Sequence, residues 1–326
     1  MTASRLWVVL VAVLLTACVM ALMAGAVSIP PAEVWGALIR GDGDPMTLAI
    51  VRVVRLPRVV LGALVGAALG VSGAVLQGAL RNALAEPYLL GVSGGAAVGA
   101  VLAVAGGVGA PALIALSAFG GALLAVGAVL TLAHAAGERG DARVLLMAGV
   151  VVGAFANAAI MVVMATASPD TTRNALWWMM GSVAAAGWRD VILLGSVLTL
   201  VGGALLHRAR QLDVLALGGE SAESLGVDVA RSGTVFFVLA SLLAAATVAA
   251  AGLVGFVGLM VPHFARALTG GRHRVVLVAA ALVGAALVVG ADVVARTSRA
   301  PAELPLGAVT ALVGVPFFLW RLRRVL

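Results

Sequence analysis

The sequence predicts an all-α, polytopic membrane protein of about ten transmembrane helices, and three observations carry that prediction. Hydrophobic residues make up 63% of the chain and charged residues only 11%, a balance that a water-facing surface does not tolerate. Uncharged stretches are long, covering residues 6–32, 59–80, 88–136, 144–169, 232–262, 275–291 and 304–320. Charge gathers in the short segments between them, as expected when each stretch crosses a bilayer that takes about 20 apolar residues.

Taken in order, the first stretch gives a helix over 6–27. Leu15-Thr16-Ala17-Cys18 resembles a lipoprotein cleavage motif and Ala24-Gly25-Ala26 a signal-peptidase site, but the apolar run continues past Cys18 to full membrane width, so an intact helix is expected. The second helix is expected over 59–80. Residues 88–136 are too long for one crossing and break near Gly106, Gly107 and Pro111, giving helices over 89–106 and 112–135. Helices over 144–167 and 190–207 follow. Residues 232–262 again exceed one crossing and divide near residues 251–255 into helices over 232–250 and 253–269. The last two are expected over 275–295 and 305–321. Gly62, Gly66 and Gly70 stand four apart, as do Gly91, Gly95 and Gly99; small residues at this spacing let helices approach closely in lipid.

No low-complexity linker divides the chain, so residues 1–326 are expected to form a single transmembrane domain. Three segments outside the helices are long enough to make contacts. Residues 30–58 and 168–190 are expected outside, the latter with Trp177, Trp178 and Trp188 at the interface, and residues 207–231 inside. All 21 basic residues are arginine, and thirteen of them fall on the inner side if the N-terminus is cytoplasmic. This bias predicts both termini inside. The net charge of +7 then follows from membrane topology, and no soluble basic face for nucleic acid exists.

Absent residues narrow the function. Without lysine there is no phosphate-binding G-x-x-x-x-G-K-[ST] loop, no Schiff base and no lysine base, and one cysteine can form neither a disulfide nor a cysteine metal site within the chain. Gly91-Val92-Ser93-Gly94 matches the pattern around the nucleophile of intramembrane serine proteases, with His263 the available base. The alternative for Ser93 is a packing residue that bonds back to its own helix. Asp292 and Arg296 lie four apart on one helical face and are expected to pair, since an unpaired carboxylate in a bundle is costly. Residues 212–229 alternate Leu212, Leu215, Leu217, Leu225 and Val227 with Asp213, Glu220, Glu223 and Asp228 around Gly218-Gly219. Two short amphipathic helices along the membrane face are expected, as a docking surface for a soluble protein.

These motifs converge. Arg55-Leu56-Pro57-Arg58 opens the second helix, and Leu69-Gly70-Val71-Ser72-Gly73, Gln77 and Arg81-Asn82-Ala83-Leu84-Ala85-Glu86-Pro87 lead into Leu89-Leu90-Gly91-Val92-Ser93-Gly94-Gly95. Trp178-Met179-Met180-Gly181-Ser182, Gly255-Phe256-Val257-Gly258-Leu259, Pro262-His263, Ala291-Asp292 and Glu303-Leu304-Pro305-Leu306-Gly307 follow. In this order they resemble the FecCD family of permeases, which serve bacterial ATP-driven importers of ferric siderophores, haem and vitamin B12. Ala83 stands where that family usually has proline, and Gly271 where an acidic residue usually precedes His-Arg.

The resemblance implies a type II ABC importer permease fold in the bacterial inner membrane. It implies a homodimer with two separate ABC ATPase subunits that dock on a segment of about residues 208–231. There Leu212, Asp213, Leu215, Leu217, Gly218, Gly219, Glu220, Ser224, Leu225 and Gly226 would make the contact. A periplasmic or lipid-anchored substrate-binding protein would meet Arg55, Arg58 and Arg296 outside, by carboxylate pairing for which arginine is suited. Gly137, Glu138, Arg139, Gly140 and Asp141 resemble the cytoplasmic gate. The pathway would be walled mainly by the third, fifth, eighth and tenth helices. This chain would bind no cofactor, with ATP and Mg on the ATPase subunits, and a ferric siderophore is the expected cargo ahead of cobalamin or haem. Two rival classes remain: the Ser93/His263 protease, and an ion-coupled transporter whose uptake collapses with the proton gradient.

Overall fold

The computed structural model describes residues 3–25, 27–136 and 141–323. Fifteen α-helices make up the described residues, with short π-type and 3-10 turns between some of them and no strand. Helix α1 (Ala3–Met23) is the first crossing. After it come α2 (Pro31–Trp35) and α3 (Pro45–Ala49), and α3 runs through wide turns at Ile50–Arg55 into α4 (Leu56–Ala79). The expected outer loop over 30–58 is therefore largely helical. Asp44 caps α3 by accepting the Met46 N–H at 3.1 Å, and Arg52 Nε donates to the Ala37 carbonyl at 2.5 Å, so local caps and ties order a segment whose charges suggested a loop.

Helix α4 is the hub. Eighty-three per cent of the most apolar part of the continuous stretch Pro45–Ala79 is buried inside the protein, against 22% for α1, and a helix that is apolar on every side belongs at the centre of a bundle. Around α4 pack α9 (Trp188–His207), α12 (Val229–Ala251), α13 (Val257–Thr269) and α14 (His273–Thr297). A second layer comprises α5 (Val92–Ala105), α6 (Pro111–Ala135) and α7 (Ala142–Thr166), with α8 (Pro169–Met179) against the end of α5. Residues 168–190 thus hold a helix rather than a loop, and Trp177 and Trp188 are exposed as interfacial residues are. The short helices α10 (Ala209–Ala216) and α11 (Gly219–Ser224) lie between α9 and α12, and α15 (Leu306–Leu322) closes the chain.

The glycine rows are contact lines. A Cβ at Gly66 would fall on the Gly284 carbonyl of α14, and one at Gly95 on the Gly121 carbonyl of α6, so these pairs cross with backbones touching.

Among the described residues, seven helical stretches are long and apolar enough to cross a membrane, and α5 and α15 are shorter apolar helices of 14 and 17 residues. With the 13 residues of α13, ten helical bodies match the ten expected, but the third and eighth begin late. Before α5 the chain makes a 3-10 turn over Pro87–Leu90 and a left-handed Gly91; before α13, Gly252 and Phe256 both have positive φ. Hydrophobicity continues through both starts, so periodicity alone does not reveal where either helix begins.

Candidate functional site

At one end of the bundle, the turn entering α4, α4 itself and α14 bring the three predicted arginines together, and all three are buried. Arg55 serves α1. Its Nη1 donates to the Leu22 and Met23 carbonyls at 2.8 and 3.0 Å and its Nη2 to the Val27 carbonyl, so a cation caps carbonyls that the helix end leaves without partners. Arg296 also reaches α1, donating from Nη2 to the Ala21 carbonyl at 2.5 Å, with its Nε 3.3 Å from Asp292 Oδ2. The expected Asp292–Arg296 pair is present.

Arg58 is held along two edges. Its Nε and Nη2 donate to the Asp292 carboxylate at 2.8–3.1 Å, and its Nη1 and Nη2 donate to Glu303 Oε1 and Oε2 at 2.7 and 2.8 Å. Asp292 is sealed, its side chain 5% exposed, whereas Glu303 stands on the α14–α15 connection with its side chain 38% exposed. Hydrogen bonding to Arg58 holds the Glu303 carboxyl below its ordinary range. The three arginines are thus spoken for within the chain, and only Arg58's end faces a partner that water reaches. Glu303 carried no role as one member of a motif.

At the opposite end, α10 and α11 are the two short helices expected, joined at Gly218 with φ 116°. Leu212 and Leu215 are buried against the bundle, as is Ala222, while Leu217 and Leu225 stand 65% and 62% exposed beside exposed Glu220, Ser224 and Gly226. Gly218 and Gly219 are half-buried at the turn. The segment therefore has an anchoring face and an open face. Asp213 belongs to the anchor: its Oδ1 accepts the His273 N–H at 2.8 Å and lies 2.7 Å from His273 Nδ1, which fastens α10 to the first residue of α14.

Between the two ends, α4 and α13 share a polar clasp. Pro262 has no N–H, so the Gly258 carbonyl four residues earlier lacks its helical donor. Gln77 Nε2 lies 3.4 Å from that carbonyl and 3.1 Å from the Leu259 carbonyl, and Gln77 Oε1 accepts from Arg266 Nη1 at 2.6 Å. A proline inside an apolar helix was the available signal for such a donor. The two broken starts meet as well: Glu86 Oε1 accepts the Phe256 N–H at 2.8 Å and the Tyr88 hydroxyl accepts the Val254 N–H at 3.1 Å. Burial pushes the Glu86 carboxyl up to about 7, against the lowering effect of the Phe256 N–H.

Ser93 and His263 take other partners. The Ser93 hydroxyl has one proton and donates it to the Tyr88 carbonyl at 3.0 Å, in the turn before its own helix, and His263 Nε2 lies 3.1 Å from the Ala83 carbonyl. That arrangement leaves no Ser-to-imidazole hydrogen bond of the kind a nucleophile needs. Of the expected gate, Gly137, Glu138, Arg139 and Gly140 lie outside the described residues; Asp141 caps α7, accepting the Arg143 N–H at 2.7 Å. Among the described residues no group of three or more His, Cys, Asp or Glu side chains is placed to hold a metal ion.

Comparison with known proteins agrees with this architecture. The chain is 43% identical over 286 residues to the cobalamin import system permease protein BtuC of Halobacterium salinarum, covering 86% of this chain and 75% of that one. It is 41% identical to the hemin transport system permease protein HmuU of Yersinia pestis, over 83% of this chain and 82% of that one, and 36% identical to the Fe(3+)-citrate import system permease protein YfmE of Bacillus subtilis, over 84% and 82%. A solved inward-facing structure assigned to the metal-chelate type of ABC transporter superposes with a TM-score of 0.86 at 29% identity, over 97% of both chains. The description of the FecCD transport family matches residues 12–324, and the chain belongs to that family.

Proposed function

We propose that this chain is the membrane-spanning permease subunit of a binding-protein-dependent ABC importer that carries a ferric siderophore across the bacterial inner membrane. Two copies enclose the pathway, two ATPase subunits bind the open face of α10 and α11, and a substrate-binding protein delivers cargo to the outer face near Arg55, Arg58 and Arg296. The chain itself binds no cofactor; ATP and Mg belong to the ATPase subunits.

The observation that carries this reading is the construction of α10 and α11. Exposed Leu217 and Leu225 flanked by acidic and small residues offer a partner an apolar contact, and Leu212, Leu215, Ala222 and Asp213 hold that surface rigidly to the bundle. A rigid lever on α9, α12 and α14 lets an ATPase move helices without covalent chemistry in the membrane. Gly137, Glu138, Arg139, Gly140 and Asp141 then close the inner end of the path. Among named relatives the cargoes are cobalamin, hemin and Fe(3+)-citrate, and the iron chelates favour a ferric complex here. The only tyrosine, Tyr88, has its hydroxyl occupied by the Val254 N–H, which argues against axial haem ligation.

The test is uptake into proteoliposomes holding this chain with an ATPase and a binding protein, offered ferric siderophores, haem and cobalamin in turn. ATP-dependent uptake of a ferric siderophore that needs both partners is the expected result. Uptake of cobalamin or haem alone would replace the cargo, and uptake driven by a proton gradient without ATP would overturn the importer reading.

A further inference from the structure

We infer that Glu303 is an internal placeholder on the docking arginine: it occupies the end of the Arg58 guanidinium until an acidic side chain of the arriving binding protein displaces it. The inference rests on the proposed docking of a binding protein at the outer arginines and names what that docking must overcome.

The argument begins with the donors. Arg55 has its Nη1 and Nη2 on carbonyls of the α1 end, and Arg296 has Nη2 on the Ala21 carbonyl and Nε against Asp292. Neither can turn to a new partner without exposing helix-end carbonyls or a buried carboxylate, both costly losses. Arg58 differs because its two edges have unlike occupants. The Nε side faces Asp292, buried within the bundle. The Nη1/Nη2 end, the fork that recognises a carboxylate with two parallel bonds, faces Glu303 on the exposed stretch 297–304.

Exchange at that fork is chemically level. One carboxylate leaves for water as another enters, Arg58 stays charged and paired, and Asp292 keeps its own two-point contact throughout. The chain thereby avoids presenting a desolvated bare cation before the partner arrives, and it rejects surfaces that bring no carboxylate. Occupancy also sets affinity: a placeholder that fills the fork about nine-tenths of the time weakens the partner's apparent affinity about tenfold.

The experiment measures the affinity of a binding protein for the permease–ATPase complex in nanodiscs, using the binding protein that supports uptake in proteoliposomes. Two variants are compared with wild type. Glu303→Gln keeps the shape of the placeholder and removes its charge; Arg58→Gln combined with Asp292→Asn removes the fork together with its buried carboxylate partner, leaving Arg296 on the Ala21 carbonyl. The expected result is affinity raised about tenfold by Glu303→Gln and binding lost in the double variant. Unchanged or weakened binding in Glu303→Gln, with loss in the double variant, overturns the placeholder and leaves docking at Arg58 standing. Unchanged binding in both removes the docking reading itself, and the placeholder with it. Should the double variant fail to fold, Glu303→Gln on the native arginine still decides the placeholder.

Discussion

Arg58 illustrates how a charge is made acceptable in an apolar bundle. Its guanidinium has Asp292 along one edge and Glu303 at the other, so the cost of removing it from water is offset by two carboxylates in hydrogen-bond geometry. Glu86 is the opposite case, a single buried carboxyl in the α4–α5 connection with one N–H to accept. Because its pKa in the folded chain, about 7, lies above the ordinary 4.5, the folded state holds more protons than the unfolded state between those values. Its contribution to stability therefore falls as pH rises through that window. Glu86→Gln keeps an oxygen on the Phe256 N–H and has no proton to lose. Thermal unfolding at about pH 5 and about pH 7.5 is expected to show wild type losing stability relative to Glu86→Gln at the higher pH. A constant difference between the two proteins would mean that Glu86 does not titrate there.

Helix α14 joins the two candidate docking regions. Its 25 residues span about 37 Å, more than the hydrocarbon thickness of a bilayer. His273 at one end is fastened to α10 by Asp213, and Asp292 and Arg296 near the other meet Arg58 and the end of α1. Movement of α10 would thus reach the outer arginines through one rigid body. Asp213→Ala is expected to leave the ATPase bound but to lower cargo moved per ATP several-fold. Leu225→Asp, on the open face, is expected instead to release the ATPase while leaving the stability of the fold within about 0.5 kcal/mol of wild type. Co-purification and coupled uptake separate the two outcomes. If both variants merely release the ATPase, the division of α10 and α11 into anchoring and open faces is wrong.

On the scale of the molecule, the arrangement sorts into one face with α10 and α11 and an opposite face with Glu303 and the α14–α15 connection. The arginine bias predicts the first of these to be cytoplasmic. Cys18 is the only cysteine, so its replacement by alanine gives a background for single-cysteine labelling. In sealed right-side-out vesicles, an impermeant maleimide is expected to label Ser298→Cys directly and Ser221→Cys only after permeabilisation. The reverse pattern would invert the topology and exchange the proposed partners of the two faces.

Helix number, the breaks near residues 106–111 and 251–255, the short helices between residues 209 and 224, and the Asp292–Arg296 pair were legible in the sequence, because each follows from local spacing: run length, glycine and proline, or a separation of four residues. The late starts of α5 and α13 were not: Gly91 takes positive φ before the first, and before the second Phe256 does so where Glu86 and Tyr88, distant in sequence from α13, accept the Phe256 and Val254 N–H groups. Nor did spacing separate Leu212 and Leu215, which anchor, from Leu217 and Leu225, which face out; that depends on which side of each short helix meets the bundle. What the sequence determined by itself was a many-helix membrane protein whose charges lie at the helix ends. Only the tertiary structure decided that Arg58 holds Asp292 and Glu303, because the three meet across more than 230 residues of chain and a buried charge takes the partner that folding brings within reach.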